Sequence, residues 1–207
     1  MAQTAAPYGL RPVKRADGLP YAGAVTEYDI DPAGYNTNIF NGSLVFINAN
    51  GFIQICTATG ADATTNALPA GASSLTGAIG VFVGCEYVNA QGQLVNSQYY
   101  PANTVAPSGT RIKAYIVSDP DVLFQVQLDG TITQAALGAN TFLAAAQTTS
   151  TGSTRTGNST SAFESTVVTT TAAFRIVEFA SPVSDAFPDV LVKFNPGYHS
   201  LTQAVGI

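Results

Sequence analysis

The sequence predicts an all-β fold: a sandwich or barrel of antiparallel strands with at most one short helix and an extended N-terminal arm. Three observations predict it. Short apolar runs with period-two alternation recur along the chain, bounded by Gly, Pro, Asn and Asp. Two dipeptides, Asn50-Gly51 and Asp129-Gly130, stand where two-residue hairpin turns are expected. A single stretch, residues 133–146, offers a helical pattern, and Gly138 interrupts it.

Taken in order, residues 1–24 carry Pro7, Pro12, Pro20, Gly9, Gly18 and Gly23. That density opposes helix and central strand. It predicts an extended arm that docks through Tyr8, Leu10, Pro12, Val13 and Tyr21 on a partner or a neighbouring subunit rather than in its own core. "AVTEYDI" (24–30) alternates as a strand. "SLVFINANGFIQICTA" (43–58) reads as a hairpin, Leu44 to Asn48 pairing Phe52 to Cys56 around a type I′ turn whose two central residues need positive φ. Residues 59–77 are small and polar, a loop. "AIGVFVGCEYV" (78–88) places Ile79, Val81, Val83, Cys85 and Tyr87 on one face and Gly80 and Gly84 on the other, where another backbone comes close. Residues 92–102 hold a short strand. In 111–133, Ile112, Ala114 and Ile116 alternate, and after Asp119-Pro120-Asp121 so do Val122, Phe124, Val126 and Leu128. The Ser/Thr-rich stretch 147–171 reads as a long loop with a possible strand at its end. "AFRIVEFA" and "DVLVKFN" close the β-rich domain of residues 25–197, and 198–207 form a tail.

Charged residues make up 10% of the 207, against about 25% in ordinary soluble domains. With 9 Tyr and 11 Phe the chain is not a disordered one. So little charge predicts a surface partly covered by partners. The net charge of -5 lacks the basic footprint of a nucleic-acid binder. Three of the eight basic residues, Arg11, Lys14 and Arg15, cluster in the arm, where they suit an acidic partner surface. The opening residues lack a hydrophobic leader and no stretch reaches 18 apolar residues, so synthesis in a cytosol-like compartment and no membrane span are expected. Cys56 and Cys85 lie in apolar strands and are expected to be reduced and buried.

Catalytic devices are sparse. Asp119 and Asp121 flank a proline, and Asp before Pro commonly starts a turn through bonds from its carboxylate to backbone N–H groups. A calcium site would need six or more oxygen ligands. His199 is the one histidine, there is no Gly-x-Ser-x-Gly elbow, and no phosphate-binding glycine motif occurs. The expectation is no enzyme, no cofactor and no metal. Two other readings remain: a glycan-binding β-domain using Tyr99, Tyr100 and the Thr-rich loops, and a glycoside hydrolase using Asp119 or Asp121 with Glu86.

The opening "APYGLRPVKRADGLPYAGAVTEYDI" resembles that of tailed-phage capsid decoration (cement) proteins, through Ala6 to Val13 and Gly18 to Tyr21. Weaker echoes follow at Gly42 to Val45, Gly80 to Val83, Asp119-Pro120-Asp121 with Phe124, and "FRIVEF". The resemblance spans most of the chain, and the Thr/Ser-rich 147–171 segment departs from it. It implies a virion structural protein, made in the host cytoplasm, that binds the outer capsid surface and locks neighbouring capsomers without catalysis. Its partners would be the major capsid protein and further copies of itself, a trimer ahead of a dimer, arranged about a symmetry axis.

Overall fold

The computed structural model describes residues 4–56, 77–145, 147–169 and 172–202. Wherever β-branched and aromatic residues alternate with polar ones, the backbone is extended and paired. Eleven strands form among the described residues: β1 (Arg11–Arg15), β2 (Thr26–Ile30), β3 (Leu44–Ile47), β4 (Ile53–Ile55), β5 (Gly80–Val88), β6 (Leu94–Ser97), β7 (Ile112–Val117), β8 (Val122–Gln127), β9 (Asn140–Thr141), β10 (Phe174–Phe179) and β11 (Asp189–Phe194). They make a five-stranded sheet in the order β1-β8-β11-β10-β9 and a six-stranded sheet in the order β2-β7-β5-β3-β4, with β6 also paired to β5. Paired strands run antiparallel. The sheets pack as a sandwich, and the barrel alternative falls away.

The core has two parts. Between the sheets, Leu10, Phe46, Val81, Phe124, Phe163 and Phe174 pack together. On the far side of the six-stranded sheet, Ile30, Val45, Phe82, Ile112 and Ile116 pack under Ile39, Tyr100 and Ala106, which come from the loops. The middle of the six-stranded sheet is thus buried on both faces, and β3 and the first half of β5 read as nearly continuous apolar runs, whereas β2 and β6 at its margins stay largely exposed.

Asp119-Pro120-Asp121 is the corner at which the chain leaves β7 in one sheet and enters β8 in the other. Asp121 N–H donates to Asp119 Oδ1 at 2.9 Å, and Val122 N–H to the Asp119 carbonyl at 3.2 Å. The expected turn is present, and Val122, Phe124, Val126 and Leu128 face the inter-sheet core together as their alternation predicts.

Several expectations need correction. Residues 11–15 are not an arm outside the core: β1 pairs with β8 from Arg11↔Gln125 to Arg15↔Val122, with a bulge at Val13. Pro12 is tolerated because β1 is the edge of its sheet. The β3–β4 hairpin holds its register, Val45↔Ile55 and Ile47↔Ile53, but not its turn. Only Gly51 has positive φ, at 83°, and Asn48 Oδ1 accepts from Asn50 and Phe52 N–H, so the connection is longer than a type I′ pair. In β5 the single expected face splits. A bulge between Phe82 and Gly84 breaks the alternation, leaving Val81 and Val83 toward the inter-sheet core and Phe82, Cys85 and Tyr87 toward the second. The close approach expected at Gly80 is real: a Cβ there would stand 2.2 Å from the Val117 carbonyl oxygen.

The helix expected over 133–146 reduces to one 3-10 turn at Gln134–Ala136. Thr133 supplies no side-chain cap, and Gly138 at φ 82° ends the run before β9. Asp129-Gly130 makes no hairpin; Asp129 N–H donates to the Phe163 carbonyl, joining β8 to the Ser/Thr-rich segment. That segment is a loop by backbone shape but a structural part by packing. Phe163 is fully buried within it. Gln147 is buried too, its Oε1 accepting from Leu44 N–H and its Nε2 donating to the Leu44 and Cys56 carbonyls. The described part of the tail is also docked: Ala78 bridges His199, and His199 is fully buried. The loop expected over 59–77 lies outside the described residues except for Gly77.

Candidate functional site

The N-terminal segment is a strap across the five-stranded sheet. Ala6 N–H donates to Gln127 Oε1, and Gln127 Nε2 donates to the Thr4 carbonyl, which ties the strap to β8. Tyr8 Oη donates to Asp189 Oδ1 at 3.0 Å, and Gln125 Nε2 donates to Asp189 Oδ2 at 3.2 Å. Burial, with the Asp189 carboxylate second, raises the Tyr8 phenol far above its ordinary range. The Arg11 guanidinium stacks over the Tyr8 ring at 4.7 Å. Gly9 takes φ 74° beneath Gly42, where a Cβ would strike the Gly42 carbonyl oxygen, and this close pass drops Leu10 into the core at 1% exposure.

Two of the three basic residues of the strap, Lys14 and Arg15, find acids in their own chain. Lys14 Nζ reaches Glu178 Oε2 on β10 at 2.6 Å, two strands beyond its neighbour β8. Arg15 bonds Asp119 at the corner, with Asp17 beside it. Tyr21 N–H donates to the Val13 carbonyl, and Arg15 N–H to the Leu19 carbonyl, so residues 13–21 fold back as a small hairpin. Of the eight residues expected to touch a partner, Leu10 is spent on the core and Tyr8, Lys14 and Arg15 on intramolecular bonds. Arg11 is stacked on Tyr8, Pro12 and Tyr21 are partly buried, and Val13 is exposed. Leu19, 60% exposed and not among those eight, is the apolar residue the hairpin turns outward most.

The groups considered for chemistry are engaged or enclosed. Burial raises the Cys56 thiol and pushes Cys85 up to about 12; both are free thiols, as expected. Burial pushes His199 down to about 4, its Nδ1 accepts from Leu201 N–H, and its ring packs edge-on against Phe194. Asp121 is held below its ordinary value by the hydrogen bond and charge of Lys193, opposite to what a general acid needs. Tyr100 is fully buried, donating to the Tyr35 and Thr104 carbonyls, and Tyr99 stacks on Phe40, so the pair offers no open platform for a sugar.

Beside the corner, on the outer face of the five-stranded sheet, lies a cavity of about 380 Å³. Arg175, Val177, Lys193, Asn195, Phe194 and Pro120 line it. No sequence signal pointed to it, because its wall is assembled from β10, β11 and the corner. Comparison with protein-family models, with curated proteins and with solved structures finds no match to this chain.

Proposed function

We propose that this chain is a virion structural protein that binds the outer surface of an icosahedral phage capsid and cements neighbouring capsomers. The major capsid protein is its partner, and copies of the chain associate with one another on the shell, a trimer ahead of a dimer. One observation carries the reading. The segment whose sequence resembles the opening of decoration proteins is tied to the sheet by Tyr8, Leu10, Lys14 and Arg15. The same segment turns Val13 and Leu19 to solvent. A fixed base with outward apolar residues suits docking on a second rigid surface, because little chain has to be ordered on contact. The scarcity of charge supports the same reading, since a surface that meets a partner over a wide area is depleted in charged residues.

The test is co-sedimentation of the purified chain with empty phage shells that lack their decoration protein. Saturable, stoichiometric binding is expected. A variant with Val13→Thr and Leu19→Asp should keep the wild-type melting temperature and lose at least tenfold in occupancy. Equal occupancy would remove the hairpin from the interface, and no binding by the wild type would overturn the reading.

A further inference from the structure

The outer face of the five-stranded sheet carries an unresolved electrostatic conflict. Arg175 on β10 and Lys193 on β11 are direct partners in the antiparallel register. Like charges placed so repel each other. Lys193 is relieved by Asp121, with Nζ 2.6 Å from Oδ1. Arg175 has no acid among the described residues: its Nε donates one long bond, 3.4 Å, to Asn140 Oδ1. Arg11 and Arg155 also lack an acidic partner among the described residues, but Arg11 stacks on Tyr8, Arg155 lies on an exposed turn, and neither lines the cavities at Arg175. Arg175 stands at the wall of two: the cavity of about 380 Å³ beside the corner, and one of about 270 Å³ lined by Leu137, Asn140 and Val168.

We infer that Arg175 and the larger cavity receive an acidic side chain of a partner polypeptide, together with the apolar residue next to it. A guanidinium fork binds a carboxylate through two parallel N–H···O bonds, and a cation left beside a like charge gains most from one. Val177, Phe194, Pro120 and Pro196 give the wall an apolar portion that a neighbouring side chain would fill, and Asn195, His199 and Thr202 complete it. Asp121 on the same wall and the net charge of -5 disfavour an extended polyanion. The recognised feature is therefore one carboxylate with an apolar neighbour. Under the reading above, on which this inference rests for the partner's identity, that feature belongs to the capsid subunit.

The experiment is an NMR titration of the full chain, following the Arg175 Nε–H and the Asn195 side-chain amide. The probes are terminally blocked Glu-Leu, terminally blocked Gln-Leu and sodium acetate. Shifts should saturate with Glu-Leu at concentrations at least tenfold below those needed for the other two. Arg175→Gln should abolish them without lowering the melting temperature, because it removes the conflict with Lys193; Arg175→Lys should weaken them. Equal response to acetate would reduce the site to a small-anion site and overturn the inference, as would unchanged binding by Arg175→Gln or a clear fall in its melting temperature. Shell co-sedimentation separates the two readings. If wild type and Arg175→Gln decorate shells equally, the inference fails and the capsid reading stands. If Glu-Leu binds but wild type ignores shells, the capsid reading fails and the site stands.

Discussion

Leu10 and Val13 look alike in the sequence and end in opposite environments, at 1% and 39% exposure. Leu10→Ala should cost about 2–5 kcal/mol, as deletions from a packed core do. Val13→Ala should stay within about 0.5 kcal/mol. Chemical denaturation of both variants checks the contrast. Nothing local separates the two residues; Gly9 passing under Gly42 does, and Gly42 lies in another segment. The burial of Cys56 and Cys85 was legible, because Cys56 closes the strand-like run from Phe52 and Cys85 alternates with Val81, Val83 and Tyr87. His199 was not, since a short polar tail gives no sign that it docks against Ala78 and Phe194. Its burial has a pH consequence. The folded imidazole titrates at about 4 and the unfolded one near its ordinary 6.5. Below that upper value the unfolded chain binds a proton the folded chain refuses, so stability falls by about 1.4 kcal/mol per pH unit as the pH drops, and levels off below the folded value. Unfolding free energies measured between pH 7 and 4 should show this slope, and His199→Phe should flatten it.

At the scale of elements, β1 holds one edge of its sheet and shields β8. Deleting residues 2–15 should leave β8 with unpaired N–H and C=O groups and remove Leu10, so the variant should fail to fold or aggregate. Size-exclusion chromatography with circular dichroism would show it; a monomeric β-domain with native ellipticity would mean that the strap is dispensable. Proline and glycine density hid this strand, since an edge strand tolerates what a central strand does not. The corner was legible because Asp-Pro-Asp breaks one alternation and starts another. Asp119→Asn with Asp121→Asn should lower stability by only about 0–1 kcal/mol for each partly exposed pair lost. The double variant's melting curve tests this, and a loss of many degrees would make the corner more than a turn with surface ion pairs. The helix at 133–146 was misread because Ala and Leu favour helix locally, whereas pairing of Asn140–Thr141 with β10 needs extended backbone.

For the molecule as a whole, alternation foretold antiparallel β-sheet but could not choose sandwich over barrel, a choice that depends on which strands close on which. The Arg175–Lys193 opposition was equally hidden, because it exists only once β10 and β11 take their register. Low charge was legible from composition; that most of the basic residues would be paired within the chain was not. With sequence pI near 4.5, net repulsion between molecules vanishes at that pH. A solubility minimum is expected there, and it overlaps the range in which His199 destabilises the fold. Light scattering across pH 7 to 4, with and without refolding at pH 7, separates reversible association from acid unfolding.

The strap also fixes an order of events during synthesis. Tyr8 bonds a residue 181 positions later, and Lys14 one 164 positions later. The partner strand of β1 comes sooner, with Arg15 opposite Val122 and Arg11 opposite Gln125, yet at roughly 5–20 residues per second a nascent chain still extends for about 5–23 s before β8 is made. During that interval β1 is an orphaned edge, and its own residues guard it: Pro12 cannot donate to a foreign strand, and Lys14 and Arg15 repel a second copy. The prolines and charges that make this strand hard to recognise are what keep neighbouring nascent chains on a polysome from zipping together.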